Sequence, residues 1–311
     1  MFIEIGLEDG LPPAAIVAAR TGLAALVLTP VAARMGALRE LGGLARPIFF
    51  LAALQVAGPF MLISAGQQEI SSSLAGILVA TAPIFTFVLA FAIAHEERAS
   101  AGGLAGVAIG LVGVALLLGV DTGGSGAALL GGLAVVLASL GYALGAYYLK
   151  RRLAQPQPVG MVTATMGASA LLTAPFVALD PPVDAPGLGA VAALVALGML
   201  GTGLAFVIYY WLIARVGASK TSLVAYIAPG FAVLYGVLLL DEHFTLATAA
   251  GLMLIVGGSW IAAQGGLSRR ELAAGGVDVT PAREPDGGPQ AAAHERRPER
   301  GDRLARGAVE A

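Results

Sequence analysis

The chain has 311 residues, of which 57% are hydrophobic and 12% are charged. A soluble domain carries roughly 25% charged residues, so this composition is typical of a membrane protein. The chain contains no cysteine, which excludes a disulfide framework, a thiolate metal site and a cysteine nucleophile. Its formal net charge of −2 carries little information, because almost all the charge lies outside the long apolar runs and its distribution matters more than its sum.

Nine apolar runs, each about 20 residues long, can cross a hydrocarbon core of about 30 Å. In chain order they cover residues 12–33, 47–66, 73–94, 100–119, 127–149, 159–179, 187–211, 219–240 and 246–264. They cannot be core helices of a soluble protein, because no polar faces remain to meet water. The sequence therefore predicts an all-α, multi-pass membrane protein with nine complete spans.

The connections between these runs differ in charge. Alternate connections, around Glu8, Glu69, Asp121, Asp180 and Asp241, contain no Lys or Arg. The positive-inside rule therefore places the other connections and the C-terminus in the cytoplasm, with the protein in the cytoplasmic (inner) membrane. The basic residues on that side are Arg34, Arg39, Arg46, Arg98, Lys150, Arg151, Arg152, Arg215, Lys220, Arg269 and Arg270.

Residues 267–311 have a different composition, with eight basic and eight acidic residues and few large apolar side chains. Such a segment buries too little surface to offset the entropy of ordering it. We predict a disordered cytoplasmic tail.

Residues 71–118 and 217–264 are near copies of each other. Pro83 and Pro229 are 146 residues apart, and Glu96 and Glu242 have the same separation. If the second half begins with the run at 127, it contains five helices, and an odd number reverses the orientation of the second copy. The sequence thus predicts an inverted-topology repeat, the arrangement of transporters whose halves rock about a central site.

The repeat also predicts a further helix at the N-terminus. Shifting by 146 maps the run at 127–149 onto positions −19 to 3, so the chain begins where that helix should end. We expect a ten-helix architecture whose first helix is largely missing, and a functional version that begins about 20 residues upstream, the length of one span.

Two sets of motifs carry a family resemblance. The stretches 201–206 and 209–219, followed by Ile227-Ala228-Pro229 and Asp241-Glu242, resemble the second EamA repeat of the drug/metabolite transporter superfamily. The first copy, with Leu11-Pro12-Pro13, Arg20, residues 82–85 and Glu96, resembles the first EamA repeat. The predicted units are residues 1–119, 127–266 and the tail, 267–311.

The resemblance implies a secondary transporter of ten helices with a central cavity and peripheral fifth and tenth helices. Such proteins often export amino acids, related metabolites or toxic compounds by alternating access. The chain departs from the family's Gly-Glu pair, which is replaced by His95-Glu96 and Asp241-Glu242.

Arg20 is the only basic residue deep inside a complete predicted span. Placing an arginine there costs about 2.5–3.5 kcal/mol on insertion scales, so its side chain needs a partner. We predict that Arg20 anchors a substrate carboxylate or acts at a gate. The alternative is a structural role, with Glu4 as the nearest candidate partner.

The other predicted substrate-binding residues share an amide or phenol group that can orient a polar ligand inside a bundle. They are Gln55, Tyr142, Tyr209 and Tyr226. The alternative for each is helix packing or a position in the interfacial aromatic belt.

Two repeat-related pairs complete the candidate residues. Pro83 and Pro229 each fall about ten residues into a span, where a missing amide should kink the helix near the membrane midplane. Glu96 and Glu242 lie at helix ends, where a carboxylate can meet the N-terminal dipole of the next helix or take part in proton coupling.

We therefore expect a secondary transporter rather than an enzyme, without a cofactor or a metal site. The chain contains no GxxxxGK[ST] motif for ATP and no HExxH motif. The expected partners are a small-molecule substrate and the lipid bilayer, without nucleic acid, in a monomer or homodimer. The alternatives are a membrane-embedded enzyme and a non-transporting scaffold or sensor.

Overall fold

The structure is a computed structural model that describes residues 1–94, 101–120, 125–217, 221, 224–240, 242 and 245–265, without the side chains at 93, 94, 225, 226 and 265. The predicted tail and Glu96 lie outside the described residues.

The described part of the chain is a succession of helices, with a short 3-10 turn at Arg39–Leu41. We number them α1 (Phe2–Glu8), α2 (Pro13–Arg34), α3 (Ala45–Gly66), α4 (Ser72–Ala92), α5 (Ala101–Val120), α6 (Gly126–Arg152), α7 (Pro158–Leu179), α8 (Leu188–Val216), α9 (Val224–Leu239) and α10 (Leu246–Gly265). Within the described ranges, eight helices, α2 to α8 and α10, are long and apolar enough to cross a membrane. They confirm the all-α, multi-pass fold. The remaining predicted span, 219–240, is described mainly as α9.

Proline and serine define several helix starts. Pro13 and Pro158 lie in the first turns of α2 and α7, where a missing amide leaves no hydrogen bond unmade. Ser71 and Ser125 cap α4 and α6 by accepting hydrogen bonds from the backbone amides of Leu74 and Ala128, at 3.1 and 3.4 Å.

Within the described residues, three of the long helices contain wider π-helical segments: Ala53–Ala57 in α3, Ala90–Ala94 at the end of α4, and Leu197–Leu204 in α8. Shifting 53–57 by 146 gives 199–203, so the segments in α3 and α8 occupy equivalent positions in the repeat. In α3 the cause is local, because Pro59 has no amide to offer the carbonyl of Gln55.

The two repeated prolines have different surroundings. In α4, a regular helix ends at Val79 and a second begins at Ala82, so the interruption directly precedes Pro83. In contrast, α9 continues as one helix through Pro229.

Helix packing follows the repeat. The pairs α2–α7, α4–α9 and α5–α10 each join a helix to its own counterpart in the other repeat, and α3–α6 is matched by α1–α8. A pseudo-two-fold axis between the repeats produces this pattern.

The two ends of the bundle can be told apart by their connections. One end carries the connections with Lys and Arg, such as Arg34 and Lys150, and we call it the basic end. There the Glu40 carboxylate accepts a hydrogen bond from the backbone amide of Gln157 at 2.7 Å. The other end carries the connections without Lys or Arg, such as those around Glu69 and Asp180, and we call it the acidic end. There the Asp9 carboxylate accepts a hydrogen bond from the backbone amide of Gly187 at 2.8 Å. Each bond joins the start of one helix to a connection in the other repeat.

Glycines allow α5 and α10 to approach until their backbones touch. A Cβ on Gly106 would lie 2.4 Å from the backbone nitrogen of Ala262, and one on Gly258 would lie 2.4 Å from the nitrogen of Gly110. Small residues serve this purpose in membranes, where close packing replaces the hydrophobic effect as the source of helix association.

This packing predicts opposite effects at neighbouring glycines. Gly258→Ala should lower the free energy of unfolding by about 1–3 kcal/mol, the usual range for overpacking. Gly257→Ala is the matched control, because nothing lies within 4 Å of its Cβ position and alanine favours the helix by up to about 1 kcal/mol. Thermal unfolding of the two detergent-purified variants measures both effects. Equal melting temperatures would contradict the close contact of α5 and α10.

Candidate functional site

A cavity of about 280 Å³ lies among α4, α6, α8 and α9. Both repeats contribute to it, and its wall is mostly apolar with a few hydroxyl groups. It is lined by Val79, Ala82, Thr86, Tyr142, Ala143, Ala205, Phe206, Tyr209, Thr221, Val224 and Ala228.

The hydroxyl groups of the wall differ in what they can offer a ligand. Thr86 and Thr221 donate to the backbone carbonyls of Ala82 and Gly217, at 2.9 and 2.8 Å, so their oxygens remain available as acceptors. The hydroxyls of Tyr142 and Tyr209 make no hydrogen bond within the described part of the chain, so they can donate or accept.

An aromatic cluster forms one side of this wall. Phe60 meets Phe206 edge to face with ring centroids 5.8 Å apart, and Tyr142 at 6.4 Å. Phe206 also contacts Tyr209 and Tyr210, at 6.0 and 5.9 Å. Rings at these distances pack favourably beyond the area they bury.

Arg20 lies against this cluster with only 6% of its surface exposed. Its Cζ atom is 3.7 Å from the centroid of the Phe60 ring, a cation–π contact that is strongest when water is excluded. Its Nε donates a hydrogen bond to Thr202 Oγ1 at 3.0 Å, and that hydroxyl donates to the carbonyl of Leu197 at 2.8 Å. The π-helical segment of α8 thus supplies the acceptor for the buried charge.

The predicted pairing of Arg20 with Glu4 is wrong in this structure. Glu4 Oε2 is buried without a hydrogen-bond partner in the described residues, whereas Arg20 meets Phe60 and Thr202. Equal distance from the turn at Pro12 suggested similar depth but did not decide which way each helix faces.

Gln55 is fully buried behind the cavity rather than in its described wall. Its Oε1 accepts a hydrogen bond from the Tyr210 hydroxyl at 2.9 Å, while its Nε2 has no partner among the described residues. Gly145 makes room for it, since a Cβ there would lie 2.3 Å from Gln55 Cβ. In this structure Gln55 joins α3 to α8. Tyr226 belongs to α9, but its side chain lies outside the description.

Glu242 meets a helix N-terminus, but not that of the next helix in the chain. Its Oε1 accepts a hydrogen bond from the backbone amide of Ser72 at 2.8 Å, and its Oε2 accepts one from Ser73 at 3.0 Å. These amides begin α4 in the other repeat. The reason is the α4–α9 pairing, which brings the end of α9 beside the start of α4.

Four residues that the sequence did not single out also belong to the site or contact it: Phe60, Thr202, Phe206 and Tyr210. Thr202, Phe206 and Tyr210 lie in the stretches 201–206 and 209–219, which carry the family resemblance, but the sequence assigned them no individual role. Phe60 had no such signal, because one phenylalanine among the apolar residues of α3 looks like any other.

Comparisons with known proteins agree with this architecture. The model of the EamA-like transporter family matches residues 1–119 and 129–264. The uncharacterized transporter YoaV of Bacillus subtilis is 28% identical over 197 residues, which are 62% of this chain and 67% of YoaV. The uncharacterized inner membrane transporter YedA of Escherichia coli K12 is 29% identical over 188 residues, or 59% of each chain. A solved crystal structure shares the fold with a TM-score of 0.62 at 21% identity, covering 84% of this chain and 93% of that one.

The contacts of Arg20 predict which substitutions are coupled. Arg20→Gln and Thr202→Val should show a coupling energy of about 1.5–3 kcal/mol in a double-mutant cycle, because the bond involves a charged donor. Arg20→Gln and Glu4→Gln should be additive within about 0.5 kcal/mol. Unfolding in detergent gives both values, and strong coupling to Glu4 would contradict this geometry.

Proposed function

This chain belongs to the EamA-like transporter family, and we propose that it is a secondary transporter that exports small metabolites by alternating access. The substrates proposed are amino acids or related compounds, and the membrane is the cytoplasmic membrane. The observation that carries the proposal is the cavity of about 280 Å³ that both repeats line. In transporters built from inverted repeats, the substrate site lies near the membrane midplane at the repeat interface.

The chemistry of the cavity supports a solute with an apolar body and an acceptor group. Its wall is mostly apolar and aromatic, and no carboxylate belongs to its described lining. Tyr142 and Tyr209 offer hydroxyl donors, and the charge of Arg20 lies against the ring of Phe60, which packs on Tyr142. A carboxylate is the acceptor that this arrangement favours most.

Orientation follows from the distribution of basic residues. Arg34, Lys150 and Arg215 all lie at the basic end, where the positive-inside rule puts the cytoplasm. The cavity extends toward this end, since Thr221 in its wall follows Gly217 at the end of α8. Loading from the cytoplasm, as an exporter requires, is consistent with that position.

Counterflow in proteoliposomes tests the function directly. Vesicles holding the purified protein and an unlabelled metabolite should accumulate the same labelled metabolite with saturable kinetics. Repeating the assay with a proton gradient in either direction tests coupling, for which Glu96 and Glu242 are the proposed groups. Chemical turnover of a solute without exchange would instead identify a membrane-embedded enzyme, and neither activity across an amino-acid and carboxylate library would contradict the proposal.

Single hydroxyl deletions should locate the binding site. Tyr142→Phe and Tyr209→Phe should each raise the half-saturation concentration by about five-fold, the effect of losing one hydrogen bond of about 1 kcal/mol. Tyr148→Phe is the control, because Tyr148 packs on Phe50 with centroids 4.9 Å apart and does not belong to the described cavity wall. If all three variants had the parent's half-saturation concentration, the substrate would bind elsewhere.

Single cysteines test the proposed topology, since the chain has none of its own. Asp184→Cys should react with a membrane-impermeant maleimide in intact cells. Ser268→Cys, in the tail, should react only after permeabilisation. The reverse pattern would invert the orientation proposed here.

A further inference from the structure

The two ends of the α4–α9 pair differ in this structure although the repeat makes them equivalent in sequence. Near the acidic end the helices touch, since a Cβ on Gly76 would lie 2.2 Å from the Cβ of Ala232. Toward the basic end the cavity separates them, with Thr86 in one wall and Val224 in another. A shift of 146 maps Ala232 onto Thr86, which lines the cavity. The counterpart of Gly76, position 222, lies outside the described residues.

Glu242 reinforces the touching end. Its two carboxylate oxygens accept hydrogen bonds from the first amides of α4, at Ser72 and Ser73, where the helix dipole also favours negative charge. Bonds from amides to a carboxylate are about twice as strong as those between neutral groups. Ser73 further donates its hydroxyl to the carbonyl of Ala232 at 3.4 Å.

Gly236 makes this closure sterically possible. A Cβ at position 236 would lie 2.0 Å from Ser73 Oγ and 2.3 Å from Glu242 Oε2. Distances this short cannot be accommodated without moving the hydroxyl and the carboxylate. The contact is therefore built from a carboxylate, two helix-start amides and two glycines, one on each helix.

We propose that this contact is the closed outer gate of the transporter, and that Glu242 is the gating residue that latches it. The proposal rests on the function proposed above and adds the mechanism of access to its cavity. Alternating access in inverted repeats proceeds by moving one repeat against the other around a fixed site. In the second state, Glu242 releases Ser72 and Ser73, Gly76 separates from Ala232, and α4 closes on α9 at the level of Thr86.

A cysteine at Thr86 reports the state of both gates. In vesicles of defined orientation, a membrane-impermeant maleimide should label Thr86→Cys faster from the basic end than from the acidic end. Adding Glu242→Gln should raise the rate from the acidic end about ten-fold and lower the rate from the basic end, because a shift of population changes the two in opposite directions. The glutamine keeps the size of the side chain and removes its charge.

Two comparisons separate gating from loosening of the fold. Glu69→Gln, at an exposed residue of the same end, should leave both labelling rates unchanged. Gly76→Ala wedges the touching contact open and should shift the rates in the same direction as Glu242→Gln, whereas Gly230→Ala should not, since nothing lies within 4 Å of its Cβ position.

The labelling result does not depend on knowing the substrate. Unchanged rates in Glu242→Gln, or rates that rise together from both ends, would overturn the gate. Opposite shifts would support it even if counterflow found no substrate, and that second failure would count only against the proposed function.

Discussion

Close backbone contact through glycine is the interaction on which this bundle depends. Lipid tails are as apolar as the helices, so association in a bilayer relies on packing and on short polar contacts. Gly106 and Gly258 bring α5 onto α10, while Gly66 and Gly131 bring α3 onto α6, where each would place a Cβ within 3 Å of the other's carbonyl oxygen. Gly76 does the same for α4 and α9. The cavity is the space that remains where α4 and α9 diverge from their point of contact.

Polar bonds then set how the two repeats sit against each other. Arg20 bonds to Thr202, Gln55 to Tyr210, and Glu242 to the start of α4, and each bond joins one repeat to the other. In a low-dielectric interior, such groups are expensive to leave unpaired. Any relative motion of the repeats must therefore keep the interior bonds or exchange them, while a bond near the end of the bundle can open to water at lower cost.

Helix irregularity places two of the buried polar side chains in the interior. Gln55 and Thr202 both lie in π-helical segments, which frequently occur at functional sites. Thr202 bonds to the carbonyl of Leu197, five residues earlier, and so presents its oxygen to Arg20. The same local distortion satisfies the backbone and creates the acceptor that allows a guanidinium to be buried.

The sequence by itself determined the all-helical fold, the membrane spans and the repeat, because hydrophobic length, charge placement and a repeat offset of 145 to 146 residues are properties of the chain read in order. It also singled out Arg20, Tyr142 and Tyr209 as candidate binding residues, since polar groups within apolar runs stand out; of these, the two tyrosines line the cavity. Only the tertiary structure decided their partners: Thr202 and Phe60 for Arg20, Tyr210 for Gln55, and the start of α4 for Glu242. Partner choice depends on which face each helix presents after packing, and depth along a helix does not contain that information. The difference between the two ends of the α4–α9 pair likewise arises only in the tertiary structure, because equivalent positions of the two similar repeats form both ends.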